Sequence, residues 1–386
     1  MTITALGRLR THARMATLFA PTTLADALNR LGFVQADPIR APARAQDLTL
    51  RHRVSGYRAG DLERSFARLG LEEDFLYAYG FMPGETQRLL HPRPDPDGEA
   101  GAHLPGGLAA EVLAFVRVHG PTHPRDLEAR FGRDRAVNGW GGFSKATTRA
   151  LESLHHYGLL RVARRRDGIR IYDAAPVPPP AVDAVGRAHQ LVMRVAGIMA
   201  PVSAVSLRGA LSLMARRNPG LGLLAPVVAA ALKAGELEWA EIDGETYLWP
   251  ALDGGWRHRP APRDVRLLAP FDPVVWDRRR FEHLWGWAYR FEAYTPPAQR
   301  TFGYYAMPLL WGDEVIGWAN VTLVAGKMHA AMGYARHPPQ SLAFRRALDA
   351  ELARMERFLT ARPSATPLTP PRSRSAASAP AGRAPG

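Results

Sequence analysis

The chain has 386 residues, and its 50 Lys and Arg against 36 Asp and Glu give a formal net charge of +14. An excess of this size favours a polyanionic partner, either nucleic acid or an anionic membrane, and no apolar run in the sequence is long enough to cross a bilayer. There is no cysteine, which excludes disulfides, iron–sulfur clusters and thiolate zinc sites and suits a reducing cytoplasm.

The N-terminus does not fit a secretory signal, because Arg8, Arg10 and Arg14 interrupt the apolar stretch that such a signal requires. It is rich in arginine and poor in acid, like a transit peptide, yet a first amphipathic helix of the fold explains it better.

The 13 histidines show no metal-ligand spacing. We therefore expect a cytoplasmic, nucleoid-associated protein with no metal and no cofactor.

Stretches rich in Pro and Gly predict where the chain divides. His91 to Gly107 and Ala174 to Pro180 are typical of linkers. From residue 362 the chain is mostly Pro, Ser, Ala, Gly and Arg, with four arginines and no acid, so we expect a disordered basic tail. The expected units are residues 1–100, 105–175, 183–250 and 262–360, with the tail at 361–386.

The first unit contains a short polar motif. Gln35 and Asp37 are two residues apart, and Pro38 biases the residue before it toward an extended conformation. Side chains two apart in an extended segment point to the same side, so a carboxamide and a carboxylate are expected to face one way. Four arginines follow closely and are candidates for binding phosphates on either flank: Arg40, Arg44, Arg51 and Arg53. Taken alone the motif is weak, since short polar pairs before proline are common in turns.

The second unit has the order of a winged helix, a helix-turn-helix with a β-hairpin wing. Helical apolar spacing is expected over 108–119, 123–131 and 144–157, the last with Ser144 as its N-cap. Alternating residues then surround Asp167-Gly168, a strong hairpin signal. Three helices followed by a two-stranded hairpin indicate a winged-helix module.

The same order recurs in the third unit, which makes the pattern more specific. Helices are expected over 187–199, 203–215 and 224–233, and a hairpin turns at Asp243-Gly244. The segment that starts at Gly235 aligns with the one that starts at Gly158, 77 residues earlier.

The two hairpins differ in charge. The second carries five acidic residues from Glu236 to Glu245, and the first carries a cluster of arginines that includes Arg161, Arg164, Arg165 and Arg166. Because a wing beside phosphates needs positive charge, we expect the first hairpin to contact DNA, together with Lys145 and Arg149 on the preceding helix, and the second to have a packing role. The alternative for the arginine hairpin is an ordinary solvated surface.

After Val265 the pattern changes to short β-like runs dense in aromatic residues. Strands are expected at 304–310, 315–324 and 328–332, with turns at 312–313 and 326–327 and a closing helix at 341–360. The fold class expected for the whole chain is α+β, with three tandem winged-helix modules and a small β-rich, barrel-like C-terminal domain that ends in a helix.

Residues 31–54 resemble the Gln-x-Asp motif of the AlkZ/YcaQ-like DNA glycosylases, bacterial enzymes that excise alkylated bases and unhook interstrand crosslinks. A second, distant likeness runs from Leu268 to Trp318, with matching residues in their expected order: Asp272, Trp276, Asp277, Arg278, Tyr289, Glu292, Tyr294, Arg300, Gly303 and Tyr304. The resemblance covers about Leu6 to Leu359.

This resemblance implies three tandem winged-helix modules closed by a β-rich domain, and it places Gln35 and Asp37 on the catalytic pair. In the stretch FLYAYGFMP, Tyr77 stands where the family usually has a histidine, and Tyr77 and Tyr79 are expected to line the site. After Gly317 the family usually shows basic residues along a strand, where this chain has only Lys327.

Two functions are consistent with the sequence. The first is a monofunctional DNA glycosylase that hydrolyses the N-glycosidic bond of alkylated or crosslinked purines in damaged double-stranded DNA. The second is a non-catalytic winged-helix DNA-binding protein or transcriptional regulator. Regulators usually dimerise to read an operator, whereas three modules in one chain favour a monomer and hence the enzyme. RNA binding lacks any RNP-like or KH signal.

Overall fold

The computed structural model describes residues 5–93, 106–137, 143–176, 182–251 and 262–361. Within these ranges the chain is a mixed α and β protein whose sheets are all antiparallel. Most of the two predicted linkers and nearly all of the predicted tail at 361–386 lie outside the described residues. The boundaries expected between units stay predictions.

The first segment wraps short helices around a small sheet. Its elements are α1 (Ala5–Thr17), α2 (Leu24–Leu31), β1 (Val34–Gln35), α3 (Ala45–Leu50), α4 (Asp61–Ser65), β2 (Leu71–Phe75), β3 (Tyr79–Pro83) and α5 (Gly84–Leu89). The strands have the order β1-β3-β2. Thr23 caps α2 by accepting a hydrogen bond from the backbone of Asp26, and Gly32 ends that helix in the left-handed conformation.

The second segment contains the three predicted helices and the predicted hairpin. Its elements are α6 (Gly107–His119), α7 (Pro124–Phe131), β4 (Arg135–Val137), β5 (Phe143–Lys145), α8 (Ala146–His156), β6 (Leu160–Arg166) and β7 (Ile169–Ala174). The helix α8 begins at Ala146 with Lys145 at the N-cap, so the expected Ser144 cap is wrong. Ser144 instead belongs to β5, which pairs with β4 in a ladder that the sequence pattern did not predict.

The third segment repeats the three helices and the hairpin, with a short strand after the first helix and no counterpart of the β4-β5 ladder among its described elements. Its elements are α9 (Ala184–Ile198), β8 (Val202–Ser203), α10 (Ala204–Arg217), α11 (Ala225–Lys233), β9 (Leu237–Ile242) and β10 (Glu245–Pro250). Asp167 and Asp243, each followed by a glycine, have positive φ values of 53° and 52°. Positive φ at both central residues is the geometry of the type I′ turn that Asp-Gly favours, so both hairpins form where they were predicted.

The C-terminal segment is an open sheet, not a barrel. It contains β11 (Val265–Leu267), α12 (Pro273–Trp276), α13 (Arg278–Trp285), β12 (Met307–Trp311), β13 (Glu314–Val324), β14 (Lys327–Tyr334) and α14 (Leu342–Thr360). The strands have the order β11-β12-β13-β14. Four strands are too few to close around a filled interior, and α14 packs against both edge strands. The expectation of a barrel-like domain is therefore wrong, whereas the terminal helix is present.

The hydrophobic cores connect segments that are distant in sequence. One core combines Leu28 and Leu48 of the first segment with Leu309 of the C-terminal sheet and Met355 of α14. Another joins Phe33 and Tyr77 to the helices of the third segment, whereas the second segment has a core of its own. The first segment is thus held between the third and C-terminal segments. None of the described helices is long and apolar enough to cross a membrane.

Candidate active site

The motif Gln35-Ala36-Asp37 lies at the edge of the first sheet. Gln35 in β1 pairs with Gly80 in β3, and the amide of Ala36 donates to the carbonyl of Tyr79 at 2.9 Å. A Cβ at Gly80 would lie 2.4 Å from the carbonyl oxygen of Val34, so this close approach of the strands requires glycine. Val34 is buried, whereas Gln35 and Asp37 are half-buried.

The Gln35 carboxamide is fixed by a tryptophan from the C-terminal segment. The indole Nε1 of Trp276 donates to Oε1 of Gln35 at 3.0 Å, which turns the amide nitrogen of Gln35 away from the indole. The ring of Tyr77 packs edge-on against Trp276 with centroids 4.7 Å apart. Tyr77 is only 5% exposed, so it supports Trp276 from the core and lies one layer behind the motif.

Asp37 is held by its own backbone turn. Its Oδ1 accepts from the amide of Ile39 at 2.8 Å, the local turn that aspartate commonly makes. Burial raises the pKa of Asp37 above the ordinary value, and the hydrogen bond from Ile39 opposes this effect in part. A more basic carboxylate is a better proton acceptor. The pKa of Tyr305 is raised as well, chiefly by burial and secondly by the negative charge of the Asp37 carboxylate.

Asp37 opens into a cavity of about 380 Å³ between the first segment and the arginine hairpin. The first segment contributes Asp37, Arg40, Arg44, Gln46 and Tyr79, and the hairpin contributes Arg165, Gly168 and Arg170. The volume lies in the range of small-ligand sites. Four arginines, one buried amide and two carboxylates, those of Asp37 and the exposed hairpin residue Asp167, therefore line a space large enough for one nucleotide unit.

The hairpin is fixed to the first segment through Glu73 on β2. Arg165 makes a two-pronged contact with this carboxylate, at 2.7 Å from Nε and 2.6 Å from Nη2. The hydroxyl of Tyr79 also donates to Glu73 at 3.1 Å, and Arg170 stacks over the Tyr79 ring at 4.2 Å. Because Glu73 is only 1% exposed, this is a desolvated network that holds the wall of the cavity in place.

The arginines of the hairpin therefore divide into two groups. Arg161 pairs with Glu72 and Arg165 with Glu73, so both face the first segment. Arg164 and Arg166 are exposed and form no ion pair with any residue that the structure describes. The charge available to an external polyanion is concentrated on this second pair.

The other predicted DNA-contact residues lie at different depths. Arg40 is exposed at the cavity rim, and Arg44 is ion-paired with Glu63. On the second segment, Lys145 pairs with Glu128 at 2.5 Å. Arg149 lies 3.9 Å from Glu152 on α8, and both side chains are more than 40% exposed.

Arg51 and Arg53 are structural, and the prediction that they contact DNA is wrong. The Arg53 side chain is 0% exposed and binds both oxygens of Asp272, at 2.7 and 2.8 Å. The Arg51 side chain is 4% exposed and pairs with the buried Glu351 of α14. Both arginines join the first segment to the C-terminal one and present no guanidinium to solvent.

Sequence reasoning missed several residues of the site: Gln46, Glu73, Trp276 as the partner of Gln35, and Tyr305. The acidic run Glu72-Glu73-Asp74 was an available signal, because an arginine-rich hairpin that packs inward needs buried carboxylates opposite it. Within the described residues, no three histidine or acidic side chains gather in a way that would hold a metal ion.

One comparison with known proteins bears on this site. The sequence matches the protein family described as DNA glycosylase AlkZ-like over residues 28–358. The match includes Gln35, Asp37, the arginine hairpin and Trp276, and it covers most of the 386-residue chain.

Proposed function

The chain belongs to the AlkZ-like DNA glycosylase family, and from this premise we propose that it hydrolyses the N-glycosidic bond of an alkylated or crosslinked purine in double-stranded DNA. The observation that carries the proposal is the half-buried Asp37 carboxylate, with its raised pKa, at the wall of an arginine-lined cavity. This site combines a proton acceptor, the carboxylate, with an arginine-lined rim that suits phosphates.

The proposed chemistry assigns one role to each residue of the motif. Alkylation at a ring nitrogen makes the purine cationic, so it departs with the electrons of the C1′–N bond and needs little acid catalysis. The carboxylate of Asp37 stabilises the cationic sugar and accepts a proton from the attacking water, whose oxygen forms the new bond to C1′. The amide of Gln35, held by Trp276, orients this water.

The proposed DNA contacts follow from accessibility. Arg164 and Arg166 would bind backbone phosphates, as would Arg40 at the cavity rim. The three-helix and hairpin order of residues 107–174 supports a winged-helix module, with Lys145 and Arg149 on the α8 side facing the duplex.

The direct test is base release from duplex DNA that contains N7-methylguanine or a nitrogen-mustard crosslink, detected as alkali-labile abasic sites. We expect the wild-type protein to produce such sites above the rate of spontaneous depurination. A protein that binds the duplex and releases no base would instead be a non-catalytic DNA-binding protein.

Replacing Arg164 and Arg166 together by alanine is expected to weaken DNA binding and its dependence on salt. Each lost phosphate contact should reduce the slope of log K against log salt by about 0.9, as measured by fluorescence anisotropy over a salt series. Alanine at Arg345 and Arg346, two exposed positions of α14, removes the same charge and serves as the control. An equal change in both variants would mean that net charge, not the hairpin, governs binding.

Replacing Trp276 by phenylalanine is expected to lower the rate constant of base release by about 3- to 10-fold, the value of one hydrogen bond. Phenylalanine keeps an aromatic ring against Tyr77 and removes the Nε1 donor to Gln35. Affinity for undamaged duplex should not change. Trp239→Phe, at a position 60% exposed on the acidic hairpin, is the matched control. A larger loss of affinity than of rate would contradict the assigned role.

A further inference from the structure

Gln46 is a buried amide in the wall of the cavity that contains Asp37. It is the second residue of α3 and only 3% exposed, yet it borders the cavity together with Asp37 and Tyr79. The mechanism proposed above assigns it no role. A buried polar side chain in a ligand-sized cavity is a candidate for recognition.

The orientation of the amide is set by its neighbour Glu63. The Gln46 Nε2 lies 3.5 Å from Oε1 of Glu63, and the same carboxylate pairs with Arg44. An ionised carboxylate only accepts hydrogen bonds, so the NH₂ group of Gln46 and not its oxygen must face Glu63. The carbonyl oxygen Oε1 therefore points elsewhere.

This oxygen has no hydrogen-bond partner among the described residues, although it is buried. Buried acceptors without partners are uncommon in native proteins, because each one loses its water without replacement. The other side chains at the cavity rim include Arg40, Arg44, Arg165 and Arg170, which only donate. The acceptors on the side chains that line the cavity are the carboxylates of Asp37 and of the exposed Asp167, the hydroxyl of Tyr79, which donates to Glu73, and Oε1 of Gln46, which is buried and has no partner among the described residues.

The chemistry of DNA limits what can complete this acceptor. Phosphate oxygens and the esterified oxygens of deoxyribose carry no hydrogen to donate, so within a DNA strand the N–H donors belong to the bases. Enzymes that act on a base commonly rotate it out of the duplex and read its exposed edge through hydrogen bonds. An acceptor beside the proposed reaction centre therefore matches a base and not the backbone.

We infer that Oε1 of Gln46 accepts a hydrogen bond from the exocyclic amino group of the purine that is excised, and that Gln46 thereby determines substrate specificity. The inference rests on the proposed glycosylase function. Glu63 and Arg44 position the amide of Gln46, and Asp37 acts on the sugar. Loss of the acceptor should reduce discrimination between purines and leave binding to the DNA backbone unchanged.

The test compares two pairs of lesions in the same duplex: N7-methylguanine against N7-methylhypoxanthine, and N3-methyladenine against N3-methylpurine. The second member of each pair lacks the amino group. Single-turnover rates are measured for wild type and for Gln46→Met, which keeps the length of the side chain and removes the acceptor. For each protein, the rate for the amino-bearing base is divided by the rate for the base that lacks the amino group. In at least one pair, this ratio should be about 10- to 100-fold larger for the wild type than for Gln46→Met. Comparing ratios cancels the intrinsic lability of each lesion.

Binding to a duplex with a stable abasic-site analogue separates recognition from folding. This ligand has no base, so Gln46→Met should bind it like the wild type, as should the control Gln190→Met at an exposed position of α9. If Gln46→Met loses this binding, the residue is structural and the inference is overturned. Identical amino-group preferences in wild type and Gln46→Met would overturn it as well, as would a preference in neither pair. A wild type that releases none of the four bases would refute the proposed function itself.

Discussion

Replacing Asp37 by asparagine is expected to lower the rate of base release from N7-methylguanine DNA by about 10²–10⁴-fold, the usual contribution of a general base. Asparagine has nearly the same shape and retains the oxygen that accepts from the Ile39 amide, so the turn should persist. What it loses is the negative charge beside the sugar and the ability to take a proton. The measurement is a single-turnover rate with enzyme in excess, corrected for spontaneous depurination.

The pH dependence gives an independent readout of the same carboxylate. Burial raises the pKa of Asp37 above its ordinary value, so the ionised form that accepts a proton is present above the raised pKa. It is lost as the pH falls through that value. The wild-type rate should therefore decline on the acid side with a midpoint above about 4, and the residual activity of Asp37→Asn should lack this decline.

The matched control is Asp349→Asn, the same carboxylate-to-amide change at an exposed position of α14. It should retain the wild-type rate and the wild-type acid limb. Equal rates in Asp37→Asn and wild type would remove Asp37 from the chemistry. Loss of activity together with loss of duplex binding would point instead to a role in holding DNA.

Local elements of this fold could be predicted because their determinants lie within a few residues. The turns at Asp167-Gly168 and Asp243-Gly244 depend on two residues that tolerate positive φ, and both form as predicted. The closing helix begins where Ser341 caps it. The cap expected at Ser144 failed because β5 continues to Lys145 and takes that serine into a strand, a tertiary pairing that overrides the local preference.

The candidate site was less predictable, because its contacts join residues far apart in the chain. The hydrogen bond between Trp276 and Gln35 spans 241 positions, and no local pattern indicates which tryptophan meets the motif. Arginines are equally ambiguous in sequence. Arg53 pairs inward with Asp272, whereas Arg164 faces solvent, and only the folded chain separates a structural guanidinium from an accessible one.

The arginine hairpin shows what this ambiguity means for function. Its charge predicts a DNA-binding surface, yet Arg161 and Arg165 are held by Glu72 and Glu73. Of these two, Arg165 lines the cavity beside Asp37, together with Arg170 of the same hairpin. The hairpin therefore combines an inner face that shapes the candidate active site with an outer face that remains available for phosphates.

Replacing Arg53 by methionine is expected to lower the free energy of unfolding by about 3–5 kcal/mol, as is typical when one partner of a buried ion pair is removed. Arg53 donates to both oxygens of Asp272 and also to the carbonyl of Thr17 at 2.6 Å. Methionine fills much of the same volume but leaves the carboxylate of Asp272 buried without its ion-pair partner. The measurement is urea unfolding followed by tryptophan fluorescence.

Two further variants determine whether this loss of stability comes from the unpaired carboxylate of Asp272. Adding Asp272→Asn to Arg53→Met removes that charge and keeps a side-chain oxygen for the Val274 amide at the start of α12, so it should recover a large part of the stability. Arg194→Met breaks an ion pair with Glu85 in which the side chains are 30% and 59% exposed, and it should cost less than about 1 kcal/mol. If the double variant were no more stable than Arg53→Met, lost packing and not the unpaired carboxylate would account for the effect.

Because α12 ends at Trp276, which holds Gln35, base release should fall with Arg53→Met even under conditions where the protein stays folded.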